Sequence, residues 1–125
     1  MSEDGSVGAG ALEIFRHELT GVVEEMGLTL QRTAYSTNVK IRRDHTCALF
    51  DADLRHVAQH DVAPQHVGTL LSMVPETMRD RTDELEPGDG ILINDPAVGA
   101  GSIHLPDEAL VSPLFVDGEI VGYAA

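Results

Sequence analysis

The chain has 125 residues, 42% of them hydrophobic, which is enough for one domain with a modest core. Eight Lys and Arg stand against 21 Asp and Glu, a net charge of −13 that would repel a phosphate backbone, so nucleic acid is excluded as a partner. With one cysteine, Cys47, no basic head joined to an apolar run, and nothing near the ~20 apolar residues of a membrane span, a soluble cytoplasmic protein is expected.

Aromatic residues are few and Trp is absent, so Leu, Val, Ile and Met must build the core. Residues 1–10 are rich in Gly and Ser and read as a disordered leader to a single segment, 11–125. Leu12, Phe15, Leu19, Val22, Val23, Met26 and Leu30 recur at three- and four-residue steps and predict an amphipathic helix over 11–31. The pattern is then lost through 33–44, where Tyr35 to Asn38 is turn-like and a short basic cluster, Lys40 to Arg43, follows. Residues 46–50 predict a buried strand, 51–53 a turn, and 55–59 the returning strand.

Helical spacing resumes at Val67, Leu70, Leu71, Val74 and Met78, predicting a second helix over 65–81 that Pro75 should kink or divide. Ile91-Leu92-Ile93 is a short strand ending at Asn94-Asp95-Pro96, and a Gly-rich loop at 99–102 leads to His104-Leu105-Pro106-Asp107. Leu110-Val111 resumes strand character, and Asp117-Gly118 is a strong two-residue hairpin signal. The last strand, from Ile120, runs to Ala125 without turn or cap, as in a larger domain that has been cut. These elements predict an α+β fold, with the first helix and a second helix on a mixed β-sheet.

Polar residues beside strands gather in three places: Arg42-Arg43-Asp44-His45, Asn94-Asp95 and His104 to Asp107. A His and an Asp three residues apart can face one point if the backbone turns between them, and imidazole with carboxylate suits Zn²⁺, Mn²⁺ or Fe²⁺. A bare His-x-x-Asp also recurs by chance, so on spacing alone it reads first as an ordinary loop. Asp44 beside Arg42 and Arg43 likewise reads as a solvated ion-pair cluster. His56, His60 and His66 lack regular ligand spacing and are expected in surface or capping roles. Cys47, inside an apolar strand, is expected to be a small buried hydrophobe. The Gly-rich loop matches no nucleotide fingerprint.

Taken in order, the passages EEMGLTLQRTAYSTNVKIRRDHTCALFDADLRHVAQ, PGDGILINDPAVGAGSIHLPDEALVSPLF and DGEIVGYAA resemble the hydantoinase B/oxoprolinase family. The resemblance spans nearly all of the chain beyond the leader and implies the N-terminal part of a longer subunit. It implies a divalent metal held by Asp44, His104 and Asp107, with a further His beyond Ala125. Asn94 and Asp95 become candidates for positioning substrate or steadying the ligands. ATP is expected to be used by a partner, a hydantoinase A-type subunit, in a hetero-oligomer that hydrolyses a small cyclic amide of the hydantoin, 5-oxoproline or lactam type. A ketone carboxylase subunit and a catalytically inactive remnant or docking fragment are the alternatives. The chain departs from the family in Ala97, commonly aromatic, in a longer Gly-rich loop, in Leu54, usually Gly, and in His45, often Phe.

Overall fold

The computed structural model describes residues 8–60, 62–97 and 104–125. Helix α1 (Ala9–Thr33) is followed by one turn of helix, α2 (Thr37–Lys40). Strands β1 (Ala48–Asp51) and β2 (His56–Gln59) form a hairpin before helix α3 (Pro64–Met78). After a short 3-10 turn at Thr82–Glu84 come β3 (Ile91–Ile93), β4 (Ala109–Val116) and β5 (Glu119–Ala124). The five strands form one sheet in the order β2-β1-β5-β4-β3.

The α+β fold is as expected, but every strand pair in it is antiparallel, not mixed. Parallel neighbours need long crossovers, whereas β1–β2 and β4–β5 are joined by tight turns that enforce antiparallel pairing. Asp117 and Gly118 both take positive φ, 51° and 86°, as a two-residue hairpin loop of this twist requires. Leu54 in the β1–β2 turn also sits at positive φ, 63°. That geometry explains why Gly suits this position, and the Leu side chain in turn packs against the core.

The alternation of strand side chains divides the core in two. Ala48 and Phe50 of β1, Ile93, Ala109, Val111 and Tyr123 face α3, which contributes Leu70, Met73, Val74 and Met78. Leu49 points the other way and joins Ala58 and Val23 of α1, with Leu19, Met26 and Ala124 at the margin. The sheet is therefore covered by α3 on one face and by α1 on part of the other.

Helix α1 runs slightly beyond the expected 11–31, and only its middle packs. Leu12, Ile14 and Phe15 remain more than half exposed. The leader expected at 1–10 lies outside the described residues as far as residue 7; Ala9 and Gly10 are helical. Pro75 does not divide α3, which continues through it to Met78 and ends three residues short of the expected limit. The loss is confined to the last turn, where one missing N–H is cheap beside the burial of Val74 and Met78. The Gly-rich loop at 99–102 lies outside the described residues.

Strand β5 joins two parts of the chain that are distant in sequence. It pairs with β4 on one side and with β1 on the other, with Leu49 opposite Ala124 and Ser112 opposite the same residue. Ala48 and Ala125 extend the pairing with two backbone hydrogen bonds of 2.8 and 2.9 Å. Gly122 permits this approach, because a Cβ there would run into the carbonyl oxygen of Phe50. Gly122→Ala is therefore expected to lower stability by about 1–3 kcal/mol through overpacking against backbone. Gly21→Ala, in open space on α1, should raise it by about 0.5–1 kcal/mol. Chemical denaturation of both variants checks the contrast.

Candidate functional site

Because β5 is antiparallel to both neighbours, β1 and β4 run in the same direction and begin at the same end of the sheet. Leu49, Ala124 and Ser112 lie in one row across the three strands. Asp44 is five residues upstream of Leu49, and Asp107 is five residues upstream of Ser112. Register thus delivers the two carboxylates to one end of the sheet, on loops entering strands roughly 10 Å apart.

Each loop is held by its own local bonds. The short helix α2 is capped by Ser36, whose hydroxyl accepts from the Asn38 N–H at 3.2 Å. Gln31 of α1 donates to the Lys40 carbonyl at 3.0 Å, and the Asp44 N–H reaches back to the Asn38 carbonyl at 3.1 Å. Arg43 takes a left-handed φ of 55°, a costly conformation for a residue with a Cβ, and so turns the chain just before Asp44. On the second loop the Asp107 N–H donates to the His104 carbonyl at 2.9 Å, closing the turn that contains Pro106. Asn94 donates from Nδ2 to the Leu105 carbonyl at 3.1 Å and so clamps that turn from the end of β3.

Asp44, His104 and Asp107 all line one cavity of about 1140 Å³, bounded by α1, α3 and the start of β4. His66, on the first turn of α3, lines it too, and its Nε2 lies 2.9 Å from Asp44 Oδ1. A carboxylate only accepts, so this nitrogen carries the proton. His104 Nε2 lies 3.3 Å from Asp107 Oδ1, and the other oxygen of Asp107, Oδ2, is buried without a hydrogen-bond partner.

The site is thus two imidazole–carboxylate pairs. Among the described residues no three such side chains stand close enough to chelate one ion as they are. The donors nevertheless fit a divalent cation in kind, two carboxylates with imidazole, and the orphaned Asp107 Oδ2 is an atom that a cation would satisfy. Asn94 and Asp95 are exposed and are not among the described residues lining the cavity; Asp95 Oδ1 accepts from the Ala97 N–H at 2.8 Å and caps a local turn.

Sequence spacing missed His66, assigning it a surface or capping role, whereas its side chain is only 16% exposed and meets Asp44. The two residues are 22 apart and meet only because α3 begins under the loop entering β1, which no local pattern reports. His56 is exposed, with its ring edge-on to Phe50. Cys47 is buried, and burial pushes its thiol pKa up, consistent with an inert core residue.

His45 is buried beside Asp44, and its Nε2 meets the Gly27 carbonyl of α1 at 3.1 Å. The carbonyl accepts, so Nε2 bears the hydrogen and the buried Nδ1 has no partner. His60 stacks obliquely nearby, ring centroids 5.9 Å apart. This histidine anchors α1 to the loop that carries Asp44.

A model of the hydantoinase B/oxoprolinase family matches residues 9–125. The chain belongs to that family. It is 41% identical over 114 residues to 5-oxoprolinase 1 of Arabidopsis thaliana, covering 91% of this chain and 9% of that protein. It is 34% identical over 110 residues to caprolactamase subunit beta of Pseudomonas jessenii, covering 88% of this chain and 19% of that one. The crystal structure of ATP-dependent caprolactamase from the same organism superposes with a TM-score of 0.84 at 31% identity, over 96% of this chain and 20% of that chain. The chain thus spans between about a tenth and a fifth of the length of these relatives. Among the described residues no helix is long and apolar enough to cross a membrane.

Burial holds the His45 pKa below its ordinary 6.5, the backbone bond to Gly27 opposing it only in part. The unfolded chain therefore takes up a proton that the folded one refuses, and stability is present above 6.5 and lost as pH falls through the lower folded value. Melting curves from neutral to mildly acidic pH should fall less steeply for His45→Phe than for the native protein.

Proposed function

We propose that this chain is the metal-holding portion of an ATP-dependent hydrolase of small cyclic amides, acting with an ATP-using partner subunit. The observation that carries the reading is the shared register of Asp44 and Asp107, which brings both to one cavity together with His104. The names of the relatives support the reaction class: 5-oxoprolinase and caprolactamase act on cyclic amides, and the solved neighbour is ATP-dependent. No nucleotide fingerprint occurs in this sequence, which agrees with ATP being handled by an A-type partner in a hetero-oligomer. A reducing, cytoplasmic setting suits the lone buried Cys47.

In this reading Asp44, His104 and Asp107 hold a divalent cation of the Zn²⁺, Mn²⁺ or Fe²⁺ type. The chemistry such an ion supplies when bound is polarisation of an amide carbonyl. The chain's own residues provide the rest. The His104–Asp107 turn sets the spacing of two donors, Asn94 keeps that turn closed through Leu105, and Asp95 shapes the adjoining loop. The apolar flank of the cavity, from Met26, Leu30, Leu92 and Leu110, suits a small ring with little charge and limits water around it.

His104→Ala in the full protein should abolish stoichiometric metal, read by elemental analysis after gel filtration, with folding retained because the side chain is exposed. Asn94→Ala should weaken metal binding by roughly 10-fold, the usual effect of losing a group that orients a ligand. Unchanged metal content in His104→Ala would reject the ligand assignment.

A further inference from the structure

Residues 26–43, from the end of α1 through α2, hold four of the eight Lys and Arg and none of the 21 Asp and Glu. Arg32, Lys40, Arg42 and Arg43 are all exposed, and none forms an ion pair with a described residue. Arg16 and Arg55, by contrast, each meet a nearby carboxylate. Three of the four unpaired cations, Arg32, Lys40 and Arg43, line one hollow of about 370 Å³ together with Leu28 and Gln31. Local bonds hold its shape. Lys40 Nζ donates to the Arg32 carbonyl at 3.4 Å, Gln31 donates to the Lys40 carbonyl at 3.0 Å, and Arg43 takes its left-handed φ of 55°. Apolar surface lies in the same segment: Tyr35 is fully exposed, Ile41 is 71% exposed and Leu28 44%. Arg and Tyr beside aliphatic side chains are the composition of interface hot spots, and a basic face of this kind complements an acidic one.

Leu28, Gln31 and Arg32 turn a different face of α1 to the hollow than Val22, Met26 and Thr29 turn to the cavity that holds Asp44 and Asp107. A protein seated on the hollow therefore leaves the cavity open while resting on the loop that leads to Asp44. A subunit that hands an activated amide to the cavity must dock near it without filling it. We infer that this basic hollow is the docking surface for the ATP-using partner subunit, which meets it with Asp or Glu side chains beside an apolar one. The inference rests on the partner proposed above. Nucleic acid or an anionic membrane would meet the same cations, but the acidic remainder of the chain repels an extended polyanion.

The test is calorimetric binding of the full protein to the partner subunit at about 50 and about 300 mM NaCl, a range over which exposed charges become screened. Melting temperatures and sedimentation of each protein alone are measured alongside. Native protein is compared with R32E/K40E, with Tyr35→Ala, and with R79E/R81E, which makes the same charge change just past α3. R32E/K40E should bind at least roughly 10-fold more weakly at low salt, and its binding should depend less on salt than the native protein's. Tyr35→Ala should bind roughly 10-fold more weakly at either salt, and R79E/R81E should bind as native does. If native protein binds the partner and R32E/K40E and Tyr35→Ala bind equally well, the docking surface lies elsewhere and only this inference falls. If R79E/R81E is weakened as much as R32E/K40E, net charge alone is at work and the inference is overturned. If R32E/K40E lowers the melting temperature but leaves binding unchanged, the protein's own chain covers the face. If native protein self-associates without the partner and R32E/K40E does not, the occupant is a second copy. Either result overturns the assignment. Absence of any complex with native protein would reject the proposed partner, and the docking role with it.

Discussion

The pairing of β5 with β1 is the constraint on which the rest of the structure depends. Among the described residues it is the set of backbone hydrogen bonds that ties the N-terminal hairpin to the C-terminal one, across more than half the chain. Without it β1–β2 is an isolated two-stranded ribbon, marginal by itself. With it, both helices gain a continuous sheet to lie on, α3 over one face and α1 over part of the other. The close approach it demands explains Gly122, whose missing side chain makes room for the Phe50 carbonyl.

The same pairing generates the site. Two strands that run in the same direction on either side of β5 must begin at the same end, so the loops entering them converge. The equal offset of Asp44 and Asp107 from the shared Leu49–Ala124–Ser112 row turns that convergence into a chemical pairing. Each carboxylate then meets an imidazole, His66 for one and His104 for the other. Of the second pair, Asp107 Oδ2 is buried without a hydrogen-bond partner among the described residues. A slip of one residue in β5 would move every side chain of that strand to the wrong face, so the core fixes the site's register.

Much of this was legible in the sequence wherever the signal was local. The stripe from Leu12 to Leu30, the apolar run at Ile91-Leu92-Ile93 and the Asp117-Gly118 turn each encode one element within a few residues, and each element formed. The His104 to Asp107 turn was also readable, because Pro106 and short spacing act locally. What failed depended on distant partners. Sheet direction was misjudged as mixed because pairing of β1 with β5 is written nowhere near either strand. Helix α2 was hidden, being one turn held by a Ser36 cap and by Gln31 from another helix. His66 looked like a surface residue for the same reason, since its partner Asp44 lies in a separate element.

The central claim is that Asp44, His104 and Asp107 serve one metal ion in one cavity. Anomalous diffraction from crystals of the full protein grown with Zn²⁺ tests it most directly. The account predicts a single strong peak inside the cavity, within roughly 2.0–2.2 Å of an oxygen of each aspartate and a ring nitrogen of His104. A peak elsewhere, or one that touches only one of the two imidazole–carboxylate pairs, would contradict it.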